Sequence, residues 1–354
     1  MKRMNRDPMK FGAIEYFSNM ARKTGYQLNN PGDIEKFSKQ MLSSLNISQA
    51  SMTMLHGKRT EAMFAYVAGG LGRCRMIKCE DAGEIFVQGL PVLAPDYRLV
   101  LEDGTKMLVE VKNFKSNKFK PFLLTTEYYE KIERYAKLND IELKIAIYFS
   151  DFKRWCLLSI KSFKKVKKGI QISIPSAFAK NEMNMLGDAS ISTLPNLRLE
   201  LMADPEEANI LDEDGTASII FRSSKIFCAG TELHSEIDQR IAFYLMRFGD
   251  WPQRAEAIVR DGRLHGVVFS CVTDNLFEGQ PFALIGDLSS MISWAFAEHT
   301  IQDGQIIALD VTYDPDAFSL KIPRKHKSKE LPLWQFLIQP NHEFSDTQNT
   351  HVAC

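Results

Sequence analysis

The segment 95–112, PDYRLVLEDGTKMLVEVK, constrains the fold of this chain more than any other stretch. Apolar residues alternate on both sides of residues 102–104, a pattern that is typical of two strands joined by a short turn. We predict a three-residue loop with Gly104 in the left-handed region, because that loop pairs Leu101 with Thr105. A two-residue turn shifts the register by one position and moves every side chain to the opposite face.

In the three-residue register, the two faces of the hairpin differ in chemistry. Tyr97 lies opposite Val109 on an apolar face. On the other face Asp96 lies opposite Glu110, and Lys112 follows two positions further along the same strand. Directly opposed side chains have Cβ atoms about 4.5–5.5 Å apart, and residues two apart on a strand are separated by about 6.7 Å. The sequence therefore predicts two carboxylates and one amine in one small patch.

Two carboxylates at this spacing either share a metal ion or raise the pKa of one of them. Since no His or Cys lies nearby in the sequence, the hard oxygen ligands predict Mg²⁺ or Mn²⁺, with water completing the octahedron. Such a metal polarises a phosphodiester oxygen and lowers the pKa of a bound water. Lys112 belongs to a residue type whose pKa falls readily on burial, and it is expected to orient that water or to stabilise developing negative charge. These groups are sufficient for phosphodiester hydrolysis.

The structural alternative assigns no chemistry to these residues. In that interpretation Asp96 caps a strand after Pro95, while Glu110 and Lys112 belong to a solvated strand face. Asp96 and Glu110 on opposite faces of the sheet would exclude the metal site and the nuclease interpretation built on it.

The order of elements around the hairpin favours a mixed α/β fold in which helices flank a central sheet. We predict helices at 9–24, 33–45 (with Asp33 as N-cap), 58–68 and 126–138, and strands at 73–78, 84–88, 142–149 and 155–160. The C-terminal half is expected to form a second α+β domain. Its predicted elements are helices at 231–248 (capped by Thr231) and 287–299, strands at 264–272 and 305–313, and a frayed tail at 340–354.

The hairpin motif resembles that of the PD-(D/E)xK nuclease superfamily, which includes restriction endonucleases and Holliday-junction resolvases. The matching residues are Pro95-Asp96, followed by Glu110-Val111-Lys112, and the similarity covers roughly residues 50–160. The resemblance implies a restriction-endonuclease-like core, with Asp96 and Glu110 as metal ligands and Lys112 as the catalytic lysine. It also implies that Glu61, on the preceding helix, is an auxiliary ligand with a catalytic role.

Several assignments around the motif stay open in the sequence. Glu61 also suits an ordinary exposed helix face, with Glu80, Asp81 and Glu84 as substitutes for the ligand role. Tyr128 is expected at the core or rim of its helix rather than as a base-stacking platform. Three lysines follow the motif directly and are candidates for phosphate contacts, although a solvated charged loop explains each of them equally well: Lys115, Lys118 and Lys120.

The net charge of zero hides an asymmetry between the two halves of the 354-residue chain. Residues 1–169 contain 30 Lys and Arg against 18 Asp and Glu, a net charge of +12, which leaves 14 against 26, or −12, for residues 170–354. A basic half attracts phosphate backbones and an acidic half does not. We therefore divide the chain into an N-terminal helical segment (1–50), a nuclease core (51–169) and an acidic C-terminal domain (170–354).

These observations predict a Mg²⁺-dependent (or Mn²⁺-dependent) DNA endonuclease, of the restriction or anti-phage defence kind. The alternatives are a junction-resolving or repair nuclease, and a non-catalytic nucleic-acid-binding or assembly subunit that keeps the fold without turnover. The acidic domain is a candidate for binding partner subunits or a second copy of the chain. Because no apolar run approaches the ~20 residues that span a bilayer, and the six cysteines have no framework spacing, we expect a cytoplasmic protein without a membrane partner.

Overall fold

The computed structural model describes residues 1–4, 12–80, 84–115, 120–204, 209–210, 214–216, 218–273, 276–323 and 326–346. The α-helices in these ranges are α1 (Ala13–Thr24), α2 (Pro31–Ala50), α3 (Met52–Gly70), α4 (Thr126–Asn139), α5 (Ile174–Ala179), α6 (Glu236–Phe248) and α7 (Leu288–Thr300). The strands of the N-terminal half are β1 (Cys74–Cys79), β2 (Tyr97–Leu101), β3 (Lys106–Phe114), β4 (Phe122–Thr125), β5 (Glu142–Phe149), β6 (Arg154–Ser159), β7 (Lys164–Val166) and β8 (Gly169–Ile172). Those of the C-terminal half are β9 (Ser190–Thr193), β10 (Leu197–Ala203), β11 (Asn209–Ile210), β12 (Phe221–Cys228), β13 (Thr231–Glu232), β14 (Gln253–Arg260), β15 (Arg263–Cys271), β16 (Ala283–Asp287), β17 (Ile301–Gln302), β18 (Gln305–Ile306) and β19 (Leu333–Phe336).

The protein is a mixed α/β protein, as the sequence predicted. Its central sheet has the order β1-β2-β3-β5-β6, in which only β3 and β5 run parallel to each other. The connection between these two parallel strands contains β4 and α4, so α4 packs back onto the sheet. This arrangement places the beginning of α4 beside the carboxyl-terminal part of β3.

The β2–β3 hairpin has the predicted register. Tyr97 pairs with Val109, and the Leu101 N–H donates to the Thr105 carbonyl at 2.8 Å across the predicted three-residue loop. Gly104 has φ +86°, a conformation that glycine adopts without a Cβ penalty. The parity of the loop therefore fixes which side chains share a face, as the sequence analysis expected.

Each face of the central sheet is covered by its own hydrophobic core. On one face Val109 packs with Phe64 of α3 and Phe296 of α7. On the other face Leu108 packs with residues of α4, β5 and β8, among them Ile132. Because the first core combines residues from both sides of position 169, its packing crosses the proposed domain boundary, and the division into domains stays a prediction.

The C-terminal half contains a second sheet of order β11-β15-β10-β12-β13, with β14 paired to β15. A third core forms around α6, where Ile241 and Leu245 pack with Leu197 of β10. A smaller sheet, β16-β9-β19, contributes to the same core through Ile191 and Ile285. Within the described ranges, no helix is long and apolar enough to cross a membrane.

Several predicted boundaries are wrong. Residues 84–88 form no strand, and the strand expected at 305–313 is limited to Gln305–Ile306. Helix α6 begins at Glu236 rather than at 231, because Thr231 belongs to β13. Helix α2 begins earlier than predicted, since the N-cap is Asn30, whose side chain accepts from the Gly32 N–H, and not Asp33.

The predicted frayed tail is only partly described. Residues 347–354 lie outside the described ranges. Before them, the Asp346 carboxylate accepts hydrogen bonds from the hydroxyls of Ser173 and Ser176, at 2.8 Å for the closest oxygen of each pair. The described end of the chain is therefore attached to the beginning of α5.

Candidate active site

The β2–β3 hairpin brings Asp96, Glu110 and Lys112 together, and α4 adds a further side chain. Asp96 immediately precedes β2, and the hairpin register continued by one residue places it opposite Glu110 of β3. Lys112 lies two residues further along β3, on the same face as Glu110. The first turn of α4 adds Tyr128, which lies over this face.

Asp96 is a buried carboxylate close to a second one. Its side chain is 9 % exposed, and Oδ2 accepts a hydrogen bond of 2.7 Å from the Val111 N–H. Burial, followed by the negative charges of Glu110 and Glu61, raises the pKa of Asp96 to about 7, although the Val111 N–H and the charge of Lys112 act in the opposite direction. The site therefore carries more negative charge than its own cation neutralises.

Glu110 is almost fully buried, at 1 % exposure, and both of its polar neighbours bind the same oxygen. The Lys112 ammonium and the Tyr128 hydroxyl each donate a hydrogen bond to Oε1 of Glu110. Lys112 Nζ also lies 3.0 Å from the Tyr128 hydroxyl and 4.7 Å from the centre of its ring. Glu110, Lys112 and Tyr128 thus form a closed triangle of contacts.

The neighbours of Lys112 determine its protonation state. Burial lowers its pKa, but the charge and hydrogen bond of Glu110, together with the hydrogen bond of Tyr128, outweigh burial and raise the pKa above the usual value. Lys112 is therefore a cation throughout the neutral range. A lysine that stays protonated can offset negative charge but cannot accept a proton from water.

Sequence reasoning missed Tyr128, which was expected to have a structural role. The signal that identifies its orientation is its spacing, because Tyr128, Ile132 and Ala136 follow one another at four-residue intervals on one face of α4. Ile132 and Ala136 are buried against the sheet, so Tyr128, in the first turn of the helix, faces the sheet as well. Its hydroxyl consequently reaches Glu110.

Glu61 lies near the site but its carboxylate has another partner. One oxygen, Oε2, is 2.5 Å from Lys58 Nζ, and the Glu61 carbonyl accepts from the Tyr97 hydroxyl at 2.9 Å. Among the described residues, no cluster of three or more His, Cys, Asp or Glu side chains is arranged to hold a metal ion. The role of Glu61 as an auxiliary ligand stays a prediction.

Other charged residues near the motif were also considered in the sequence: three acidic residues as alternatives to Glu61, and three lysines as phosphate contacts. Glu80 is buried in ion pairs with Arg98 and Lys78, and Glu84 pairs with Arg22. Asp81 and Lys118 lie outside the described residues, whereas two of the flanking lysines are exposed: Lys115 and Lys120. Their contacts with nucleic acid stay predictions.

Comparisons with known proteins add one similarity. No family model matches the sequence, and no curated protein matches it. Among solved structures, the chain is similar to the Holliday junction resolvase Hjc of the archaeal hyperthermophile Archaeoglobus fulgidus, at 20% identity over 26% of this chain and 77% of that chain. With a TM-score of 0.21, this likeness defines neither the fold nor the activity of the chain.

The donor set fits a hard divalent cation. Asp96 and Glu110 supply carboxylate oxygens, and a cation would offset what raises the pKa of Asp96, which is its burial first and then the negative charge of Glu110. Mg²⁺ is commonly held in proteins by only one or two carboxylates, with waters and substrate phosphate oxygens filling the other positions. Two protein carboxylates are therefore sufficient for such a site.

Proposed function

We propose that this chain is a metal-dependent nuclease that hydrolyses phosphodiester bonds in DNA. The observation that carries the proposal is the pair of buried carboxylates, Asp96 and Glu110, of which Glu110 accepts a hydrogen bond from Lys112 and Asp96 accepts one from the Val111 N–H. Asp96 and Glu110 would hold Mg²⁺ or Mn²⁺, which polarises a phosphodiester oxygen and supplies a bound water of lowered pKa.

The remaining residues of the site provide electrostatic stabilisation and orientation. Lys112, held protonated by Glu110, places a positive charge beside the carboxylates, where negative charge develops on the phosphate during hydrolysis. Tyr128 fixes both Lys112 and Glu110 through one hydroxyl, which limits the rotamers that either side chain adopts. Val111 orients Asp96 through its backbone N–H. We propose that Tyr128 is a positioning residue in this arrangement.

The defence role in the proposal depends on chain length and organisation. A 354-residue chain with a separate acidic half exceeds what a minimal junction resolvase needs. We propose that residues 170–354 serve target choice or assembly in restriction or anti-phage defence. Since a fold by itself does not define a function, this assignment depends on the substrate that the chain cleaves.

The test is cleavage of a panel of substrates in Mg²⁺ or Mn²⁺ by the intact chain: plasmid, linear duplex, four-way junction, single-stranded DNA and RNA. We expect cleavage of DNA that excess EDTA stops and that Asp96→Asn or Glu110→Gln abolishes. The control is Glu182→Gln, which neutralises a buried carboxylate outside the site. Because it leaves Lys144 without its buried partner, it is assayed at a temperature at which it is folded, and it is expected to retain cleavage there.

The alternatives give different results in the same experiment. Preferential cleavage of the four-way junction assigns the chain to junction resolution. Binding of DNA with no cleavage in either metal indicates a non-catalytic subunit. Full cleavage in excess EDTA, or full cleavage by Asp96→Asn, contradicts the metal-dependent mechanism.

A further inference from the structure

Four lysines lie within five residues on the β7–β8 hairpin, residues 164–172, which we call the lysine hairpin. All four are exposed to solvent: Lys164, Lys165, Lys167 and Lys168. Lys164 Nζ is 3.8 Å from Asp346, and Lys165 is close enough to Glu133 to lower the pKa of that carboxyl group. In the part of the chain that the structure describes, the side chains of Lys167 and Lys168 have no acidic partner. The hairpin therefore presents a net positive charge to solvent.

The lysine hairpin is held firmly against the segment that precedes α4. Gly169 pairs with Thr125 of β4, and the Thr126 N–H donates a hydrogen bond of 3.1 Å to the Lys168 carbonyl. The two backbones approach so closely that a Cβ on Gly169 would lie 1.8 Å from the Leu124 carbonyl oxygen. Residue 169 must therefore be glycine, and the lysines have a defined position relative to α4.

An open cleft lies beside both the strand that pairs with the lysine hairpin and the candidate site. The cleft, of about 340 Å³, is lined by residues 91–93, which precede Asp96, and by Thr125, Glu127, Tyr128 and Lys131. Thr125 is paired with the lysine hairpin, and Tyr128 donates to Glu110. Two hydrogen bonds thus connect Lys168 to the site. Its carbonyl accepts from the Thr126 N–H, and Tyr128, two residues later in α4, donates to Glu110.

We propose that the lysine hairpin binds the phosphate backbone of a nucleic-acid strand that enters the cleft and reaches Glu110. Exposed lysines attract phosphates mainly through counterion release, which requires no base contact. Contacts of this kind fix the register of the strand without reading its sequence. The identity of the reaction at the end of the cleft rests on the proposed function, whereas the binding itself does not.

The test is the salt dependence of binding to a fluorescent DNA duplex, measured by anisotropy between 50 and 200 mM salt in EDTA, where the proposed metal-dependent cleavage is blocked. The variant replaces Lys165, Lys167 and Lys168 with Gln. Each phosphate contact contributes about 0.9 to the slope of log K against log salt, so the loss of three contacts lowers that slope by about 2–3. We also expect at least tenfold weaker binding at the lowest salt.

The matched control removes the same number of positive charges from a different part of the surface. It replaces three exposed lysines of the C-terminal half with Gln: Lys225, Lys321 and Lys329. None of these lies in β4, β7, β8 or α4, and we expect the slope to stay at the wild-type value. Thermal unfolding of both variants is measured in parallel, because replacement of exposed lysines is expected to leave the fold intact.

Two results overturn the inference. One is a slope for the lysine-hairpin variant that equals the wild-type slope; the other is an equal loss in both variants, which indicates attraction by net charge alone. Failure of the proposed function is a separate result, since it is measured by cleavage with Asp96→Asn and not by binding. In cleavage assays the lysine-hairpin variant is expected to raise KM while the single-turnover rate at saturating DNA stays within twofold of the wild-type rate.

Discussion

Two lysine–glutamate pairs involve neighbouring strands of the central sheet, and they differ in burial: the Lys112 side chain is 28 % exposed, whereas Lys144 is buried. Lys112 and Glu110 belong to β3, whereas Lys144 belongs to β5 and pairs with Glu182, which follows α5. In the sheet register Lys144 lies beside Val109, the residue next to Glu110. The pairs are therefore close in space and face opposite sides of the sheet.

The difference between the pairs is the balance of buried charge. Lys144 and Glu182, 3 % and 5 % exposed, are 2.5 Å apart, and the second carboxylate near Lys144, that of Glu142, is largely in water. This cluster lines a cavity of about 530 Å³ and has one buried carboxylate for one buried amine. At the candidate site two carboxylates are buried, and Lys112 pairs with Glu110 while Asp96 accepts a hydrogen bond from the Val111 N–H. Burial of an ion pair is thus a poor marker of function, and an excess of buried like charge is a better one.

The largest expected effect on stability is that of Lys144→Met. Removing one partner of a buried ion pair leaves Glu182 uncompensated, which typically costs about 3–5 kcal/mol in the free energy of unfolding. We expect this loss in a denaturant titration, with the cleavage rate of the folded protein unchanged. The double variant with Glu182→Gln removes the uncompensated charge and is expected to recover most of the stability. An unchanged free energy of unfolding in the single variant would show that the pair is solvated.

The corresponding change at the candidate site, Lys112→Met, is expected to act on rate. Loss of one electrostatic contact to the transition state typically slows the chemical step by about 10²–10³. The measurement is the single-turnover rate at saturating metal and DNA, with Lys144→Met as the matched control. Equal rates for the Lys112 variant and the wild type would contradict a catalytic role for this lysine and make the two pairs equivalent.

The smallest expected effect is the pH dependence of stability that Asp96 introduces in the metal-free protein. The pKa of Asp96 is about 7 in the folded state and about 3.8 in the unfolded state. Its stabilising contribution to the free energy of unfolding is therefore fully present below pH ~3.8 and is lost as the pH rises to about 7. Asp96→Asn removes this dependence and keeps an acceptor for the Val111 N–H. We expect the variant to be more stable than the wild type at pH 8, on the order of 2 kcal/mol, with the difference fading towards pH 4.

Denaturant titrations in EDTA across this pH range measure that difference. A constant difference between variant and wild type at every pH would show that Asp96 titrates normally. Saturating Mg²⁺ is expected to reduce the difference at pH 8, since a bound cation stabilises the ionised carboxylate.

The features that depend on local parity and periodicity could be predicted from the sequence alone. The odd loop length at residues 102–104 and the two-residue alternation around it were enough to place Asp96 opposite Glu110, with Tyr97 on the other face. The strand at 142–149 was equally easy to predict, because its run of apolar residues lies between polar residues at 139–140 and 150–151. Such patterns are visible in a sequence because they involve residues a few positions apart.

Contacts between groups that are far apart in the chain could not be predicted and were seen only in the folded protein. It placed Tyr128 on Glu110, paired Lys144 with Glu182, and put the lysine hairpin beside the beginning of α4. It also set the direction of the pKa shift of Lys112, because the sign depends on whether burial or a neighbouring carboxylate dominates. These outcomes depend on how separate elements pack, and the packing of elements far apart in the chain leaves no periodic signal in the sequence.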